Sequence, residues 1–126
     1  MKIKTTELTD AALDRAVAKA LGRGPEYNLA AFGTVFRGWW LTQGGEYERM
    51  PSYSTDWSQG GPIIEREGIS TVQEGDAADW VASVYDHKAD DWHMHTLGET
   101  PLIAACRCYV ASKLGDEVEI PEELAP

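Results

Sequence analysis

The sequence predicts an α+β fold, with two main helices and a short helix packed on a small, mainly antiparallel sheet. Three observations carry this. A well-delimited helix stands near each end of the chain. Short segments rich in β-branched and aromatic residues lie between them. Strands and helices do not alternate regularly, as a parallel sheet would require. The 126 residues and a hydrophobic fraction of 43% suit one domain over residues 1–126 with one packed core. Residues 116–126 read as an acidic C-terminal tail.

The first helix is expected over residues 10–21. Thr9 is a good N-cap, and Leu8 and Leu13 have the spacing of a hydrophobic staple around it. Leu13, Val17 and Leu21 form one apolar stripe. Gly22 ends the helix, and Gly24-Pro25 reinforces the break. A strand follows over residues 34–41, bent near Gly33 or Gly38. Gly44-Gly45 marks a turn, after which a hairpin can continue through residues 47–49. The stretch "YSTDWSQGGPIIEREGIS" then reads as a polar run that feeds a short helix. That helix is expected to open at Gly60-Gly61 with Pro62 in its first turn, Ile63 and Ile64 inward, and Gly68 as its end. "ISTVQ" and "DWVASVYD" read as two short strands, with a third around residues 92–95. The last helix has Thr100 as N-cap, Pro101 at its first position and Gly115 after its final turn. Leu102, Cys106 and Tyr109 mark one apolar side, and Ile103, Val110 and Leu114 widen it, so this helix is expected to be buried. The helices are expected to pack on a sheet that includes residues 34–41 and 80–85.

A net charge of −10 argues against binding nucleic-acid backbones. No apolar run approaches the ~20 residues of a membrane span, and the N-terminus lacks a signal-peptide apolar region. A cytoplasmic location without membrane contact is the expectation. Cys106 and Cys108 face different directions on a helix, so they are expected as buried, reduced thiols. His93 and His95 would share one side of a strand near Asp90 and Asp91. No second ligand pair stands at a metal-binding spacing, so these histidines and His87 are read as solvated, and no metal or cofactor is expected. No GxSxG, CxxC or HExxH motif occurs, and Glu65/Glu67 and Asp116/Glu117 are explained by charged surfaces. No catalytic residues are assigned, and an enzyme is the less favoured reading.

The candidate binding residues are Ser54, Thr55, Asp56, Trp57, Gly60, Gly61, Arg66 and Arg107. Amides at a glycine-led helix start attract anions, nearby hydroxyls add hydrogen bonds, and Trp57 can stack on a base. In the competing reading, Asp56 or Ser58 caps the helix, Trp57 fills the core, and the glycines only make the turn. Arg66 and Arg107 either clamp a ligand phosphate or carboxylate, or pair with Glu65, Glu67 or an aspartate.

"MKIKTTELTDAALDRAVAKALG", "YSTDWSQGGPIIEREGIS" and "TPLIAACRCYVASKLGDEVEIPEEL" resemble the NinX-like family of small lambdoid bacteriophage and prophage proteins. The resemblance is specific at these three blocks and weak over residues 24–50 and 74–98. It implies a phage accessory protein made in the host bacterial cytoplasm, and it carries no catalytic residues over. By analogy of setting, it raises ligand binding of the anti-defence kind, in which a nucleotide-derived immune signal is sequestered between subunits. Two functional expectations follow. One is a homo-oligomeric, non-enzymatic binder of a small nucleotide-like or anionic ligand. The other is an inhibitor or regulator of a host enzyme, acting through an acidic surface and anchored by exposed aromatic residues.

Overall fold

The computed structural model of the chain describes residues 1–22, 39–41, 47–49, 51–74, 79–86 and 90–120. Gly24-Pro25, Gly33, Gly38, Gly44-Gly45, His87 and the end of the acidic segment lie outside the described residues, as does most of the strand expected over 34–41. In chain order the elements are β1 (Lys2–Lys4), a 3-10 turn (Thr5–Glu7), α1 (Asp10–Ala20), β2 (Trp39–Leu41), β3 (Tyr47–Arg49), α2 (Trp57–Glu67), β4 (Ser70–Gln73), β5 (Trp80–Asp86), β6 (Asp91–Gly98), α3 (Pro101–Leu114) and β7 (Glu117–Glu119). Among the described residues, three helices and small antiparallel sheets make an α+β fold, as the sequence predicts.

α3 is the centre. Its buried residues, from Leu102 through Ala104, Ala105, Cys106 and Cys108 to Val110, run round most of its circumference. One side meets β5 and β6 and another meets α1. Small residues allow the close approach. Ala82 and Ala104 are fully buried, and a Cβ on Gly98 would lie 2.4 Å from the Ala104 amide nitrogen. Thr96 Oγ1 fastens the contact by donating to the Ala104 carbonyl at 2.8 Å. The helix opens as expected, with Thr100 Oγ1 accepting from the Ile103 amide at 3.0 Å, and it ends at Gly115 with φ +92°.

α1 buries Leu13 and Val17 completely and ends at Gly22, φ +75°. Thr9 is its N-cap by position, but its hydroxyl makes no capping bond. α1 also buries two charged residues that the apolar stripe does not suggest, Asp14 and Arg15.

Among the described residues the largest sheet has the order β4-β5-β6, all antiparallel. Its register shifts between Ala82 and Val84, so the period-two argument that placed His93 and His95 on one side does not run unbroken along β6. Of the strand expected over residues 34–41 in one sheet with 80–85, only 39–41 are described, and these do not pair with 80–85. Residues 39–41 pair with 47–49 instead, Trp40 opposite Glu48, in a two-stranded ladder of their own among the described residues. The local hairpin closes a short loop and so needs less ordering than a long-range partner.

A third ladder joins β1 to β7, with Lys2 opposite Glu119, Ile3 opposite Val118 and Lys4 opposite Glu117. Ile3 and Val118 face the core while the charged pairs face out. The first part of the expected acidic tail is therefore a strand. Among the described residues, no helix is long and apolar enough to cross a membrane.

Candidate functional site

The site is organised by the turn that leads into α2. The amides of Thr55 and Asp56 both donate to the Ser52 carbonyl, at 3.2 and 2.9 Å. Ser54 is buried, and its amide and hydroxyl both donate to Asp14 Oδ1, at 2.8 and 2.7 Å. Burial pushes the Asp14 carboxyl above its ordinary pKa, the Ser54 bonds pull it back, and Asp10 nearby pushes it up again. The neighbouring Tyr53 carbonyl accepts from Cys106 Sγ at 3.4 Å. Burial pushes the Cys106 thiol up to about 12 and the Cys108 thiol up to about 11, so both stay protonated at neutral pH. Both cysteines are buried and neither is in a disulfide, as the sequence predicts.

α2 opens three residues before the expected glycines. Asp56 is the N-cap, accepting from the Ser58 amide at 2.9 Å and from its hydroxyl at 2.7 Å. These bonds hold the Asp56 carboxyl below its ordinary pKa. The Gln59 and Gly60 amides donate to the Asp56 carbonyl at 3.0 and 2.9 Å. Gly60 thus lies inside the helix with its amide engaged, and Pro62 lies in the helix interior. Close packing explains Gly60, since a Cβ there would meet the Tyr53 carbonyl at 2.2 Å and Leu102 Cδ1 at 2.6 Å. Gly68, φ +66°, ends α2, and Ile69 folds back as expected, donating its amide to the Ile64 carbonyl at 3.1 Å.

Trp57 is 55% exposed, as are its polar neighbours Thr55, Asp56 and Ser58 in large part. Its ring edge lies 3.7 Å from where a Cβ on Gly61 would stand. The structure therefore brings Ser54, Thr55, Asp56, Trp57, Gly60 and Gly61 together, with Ser54 and Gly60 inside and the rest on the surface.

Neither arginine joins them. Arg66 is at the far end of α2, about 13 Å along the axis from Trp57. Its Nε donates to Glu67 Oε2 at 2.9 Å, the pairing that the competing reading names. Arg107 is half-buried and donates from Nε to the Leu8 carbonyl at 3.0 Å and from Nη1 to the Leu97 carbonyl at 2.8 Å. Its hydrogen bonds go to main-chain oxygens that join the entry of α1 to the end of β6, while the Glu99 and Asp79 carboxylates act on it through their charge.

A second surface is one that sequence reasoning missed. The face of the three-stranded sheet turned away from α3 carries Val72, Val81 and Leu97 as direct cross-strand neighbours. Tyr85 and Trp92, paired further along the same face, meet edge-on with ring centres 5.5 Å apart. Val72, Trp92 and Leu97 are 60%, 47% and 54% exposed. The signal was the alternation in "STVQ" and "WVASVYD", whose two faces are both apolar enough that neither could be named as the inner one. Among the described residues, no three histidines, cysteines or carboxylates are grouped to hold a metal ion.

No curated protein matches the chain. The family model described as bacteriophage P22, NinX matches residues 4–113, which takes in α1, α2, the three-stranded sheet and nearly all of α3. On that span, the chain belongs to the NinX family of bacteriophage P22.

Proposed function

We propose that this phage accessory protein works without catalysis in the host cytoplasm, by binding a host protein through its acidic surface. The observation that supports this most directly is the exposure of large apolar side chains, Trp57, Val72, Trp92 and Leu97, on a chain of net charge −10. Exposed aromatic and aliphatic clusters with a polar rim are the usual anchors of protein interfaces. A binder of a free anion needs uncommitted cations or amides. Here Arg66 is paired with Glu67, Arg107 holds two carbonyls, and the Asp56 carboxylate occupies the start of α2. The test is capture by the immobilised full-length chain from host lysate at low and high salt. Stoichiometric recovery of one host protein, weakened by salt, is expected, and a clean bait at both salt concentrations overturns the reading.

A second reading is supported by the exposed Trp57 beside Thr55 and Ser58. In it, a homo-oligomer sequesters a nucleotide-like immune signal, held by stacking of the base on the indole and by hydrogen bonds to the hydroxyls. Thermal denaturation with a panel of nucleotides and cyclic nucleotides tests it. A ligand at a hundredfold excess over Kd adds about 2.7 kcal/mol of stability, which Trp57→Ala removes. An unchanged Tm across the panel rejects it.

A further inference from the structure

We propose that the outer face of the β4-β5-β6 sheet docks a basic protein surface, one that presents an aliphatic or aromatic side chain flanked by lysine or arginine. This rests on the reading that the protein acts by binding a host protein, and it names the surface and the chemistry of the partner.

The apolar part of the argument is geometric. Val81 stands directly opposite Val72 on one side and Leu97 on the other, so three aliphatic side chains line up across all three strands. Cross-strand neighbours on one face lie about 5 Å apart, so these side chains form a continuous strip. Val72 and Leu97 at its two ends are 60% and 54% exposed. Beside the strip, a shallow groove of about 380 Å³ is lined by Val72, Gln73, Glu74 and Val81. That is room for a side chain or two on an open surface. The Tyr85–Trp92 pair adds a second apolar spot on the same face, beyond the Ser70–Ser83 pair. α3 covers the opposite face, which is where Ala82, Thr96 and Gly98 are buried. The fold therefore has no use for large apolar groups on the outer one.

The charge part selects the partner. Residues 70–99 hold seven acids and a single lysine. Glu74, Asp79 and Glu99 are exposed where the strands carrying the strip end or begin, and Asp90 and Asp91 are exposed beside the Tyr85–Trp92 pair. A second copy of this face is a poor occupant, because a two-fold contact sets the same acidic rim against itself. Phosphate backbones are repelled in the same way. A basic rim around an apolar anchor is complementary in both respects. It also gives fast, salt-sensitive association that a buried apolar contact then holds.

The experiment titrates the isotope-labelled full-length chain with a short peptide of alternating Lys and Leu, followed by NMR. The controls are peptides of alternating Lys and Ser and of alternating Glu and Leu. The Lys–Leu peptide is expected to shift the Val72, Val81 and Leu97 amides and the Trp92 indole. It should bind about tenfold tighter than the Lys–Ser peptide, with the Glu–Leu peptide not binding. Leu97→Ser combined with Val72→Thr is expected to remove that tenfold difference at unchanged Tm. Equal binding of the two lysine peptides, shifts centred on Trp57, or a dimer that Leu97→Ser dissociates each overturn the proposal. Lysate capture with the same double variant separates the two levels. Capture that survives the substitutions leaves host-protein binding standing and sinks this surface, whereas no capture by either form sinks both.

Discussion

The two faces of the β4-β5-β6 sheet are made of the same strands and obey opposite rules. Toward α3, Trp80 and Val84 pack on the core at the two ends of the contact, and at its centre the residues are small or specifically bonded: Ala82 is fully buried, Thr96 is tied to the Ala104 carbonyl, and Gly98 stands where no side chain fits. Away from α3, the Ser70–Ser83 pair apart, Val72, Val81, Tyr85, Trp92 and Leu97 are large and apolar, and several are about half exposed or more. Close packing accounts for the first set, because a helix that lies this near a sheet leaves no volume for side chains. Among the described residues, nothing accounts for the second. Residues the fold requires and residues it merely carries can thus be separated within single strands, and the second kind is where function is to be sought.

Substitutions can break that distinction, and the largest effect is expected at Gly98. Gly98→Val drives a branched side chain into the α3 backbone and should destabilise by about 3 kcal/mol or prevent folding, measured by urea denaturation. A stable variant would mean that α3 is not held against β6 as described.

Asp14 belongs to the same packed half of the molecule, and Asp14→Ala should cost about 2–3 kcal/mol, since it leaves the Ser54 amide and hydroxyl buried without their acceptor. Asp14→Asn retains an acceptor and should cost less. The pH dependence sharpens this. The folded-state pKa of Asp14 is raised above its ordinary 3.8, so the folded chain binds this proton more tightly than the unfolded one. Its contribution is complete below the ordinary value and is lost as pH rises through the raised value. The wild type should therefore lose stability relative to Asp14→Asn as pH increases above 3.8, and a constant difference between them would show that Asp14 is not buried as described.

The helix starts give an intermediate effect. Thr100→Ala removes a capping bond and should cost about 1 kcal/mol, whereas Thr9→Ala should cost about half of that or less, because its hydroxyl caps nothing. Equal losses in chemical denaturation would contradict the difference in cap geometry. The smallest effect belongs to the open face, where Leu97→Ser should change stability by no more than about 0.5 kcal/mol. A larger loss would give that face a structural role.

The sequence made the helices legible wherever the signal was local. Thr100-Pro101 and Gly115 bracket α3, Gly68 ends α2, and Leu13 and Val17 mark the inner side of α1. It misled at Gly60, because a glycine demanded by Tyr53 and Leu102, both distant along the chain or across the turn, looks the same as one demanded by a helix start. Asp56 next to it was the true local signal. The candidate site was legible as a cluster around Trp57, whose exposure follows from its place in a polar run. Arg66 was legible in the competing reading, as the partner of Glu67, but Arg107 was not, since an arginine that binds main-chain carbonyls has no partner that a one-dimensional reading can name. The Lys-Ile-Lys and Glu-Val-Glu segments carry complementary alternation, but each is too short to read as a strand until the other is set beside it.

That last pairing also has a consequence in time. β1 leaves the ribosome more than a hundred residues before β7, so at about 5–20 residues per second it waits roughly 5–25 s for its partner. Until then Ile3 lacks the cover of Val118, and Thr5 lacks both the Asp116 carbonyl that its amide reaches and the Gly115 carbonyl that its hydroxyl reaches. The nascent chain therefore cannot finish its core piecemeal. The β1–β7 ladder acts as a completion seal, closed only on chains translated through β7, and a message cut short before that point yields a product with an open seam for proteases to find.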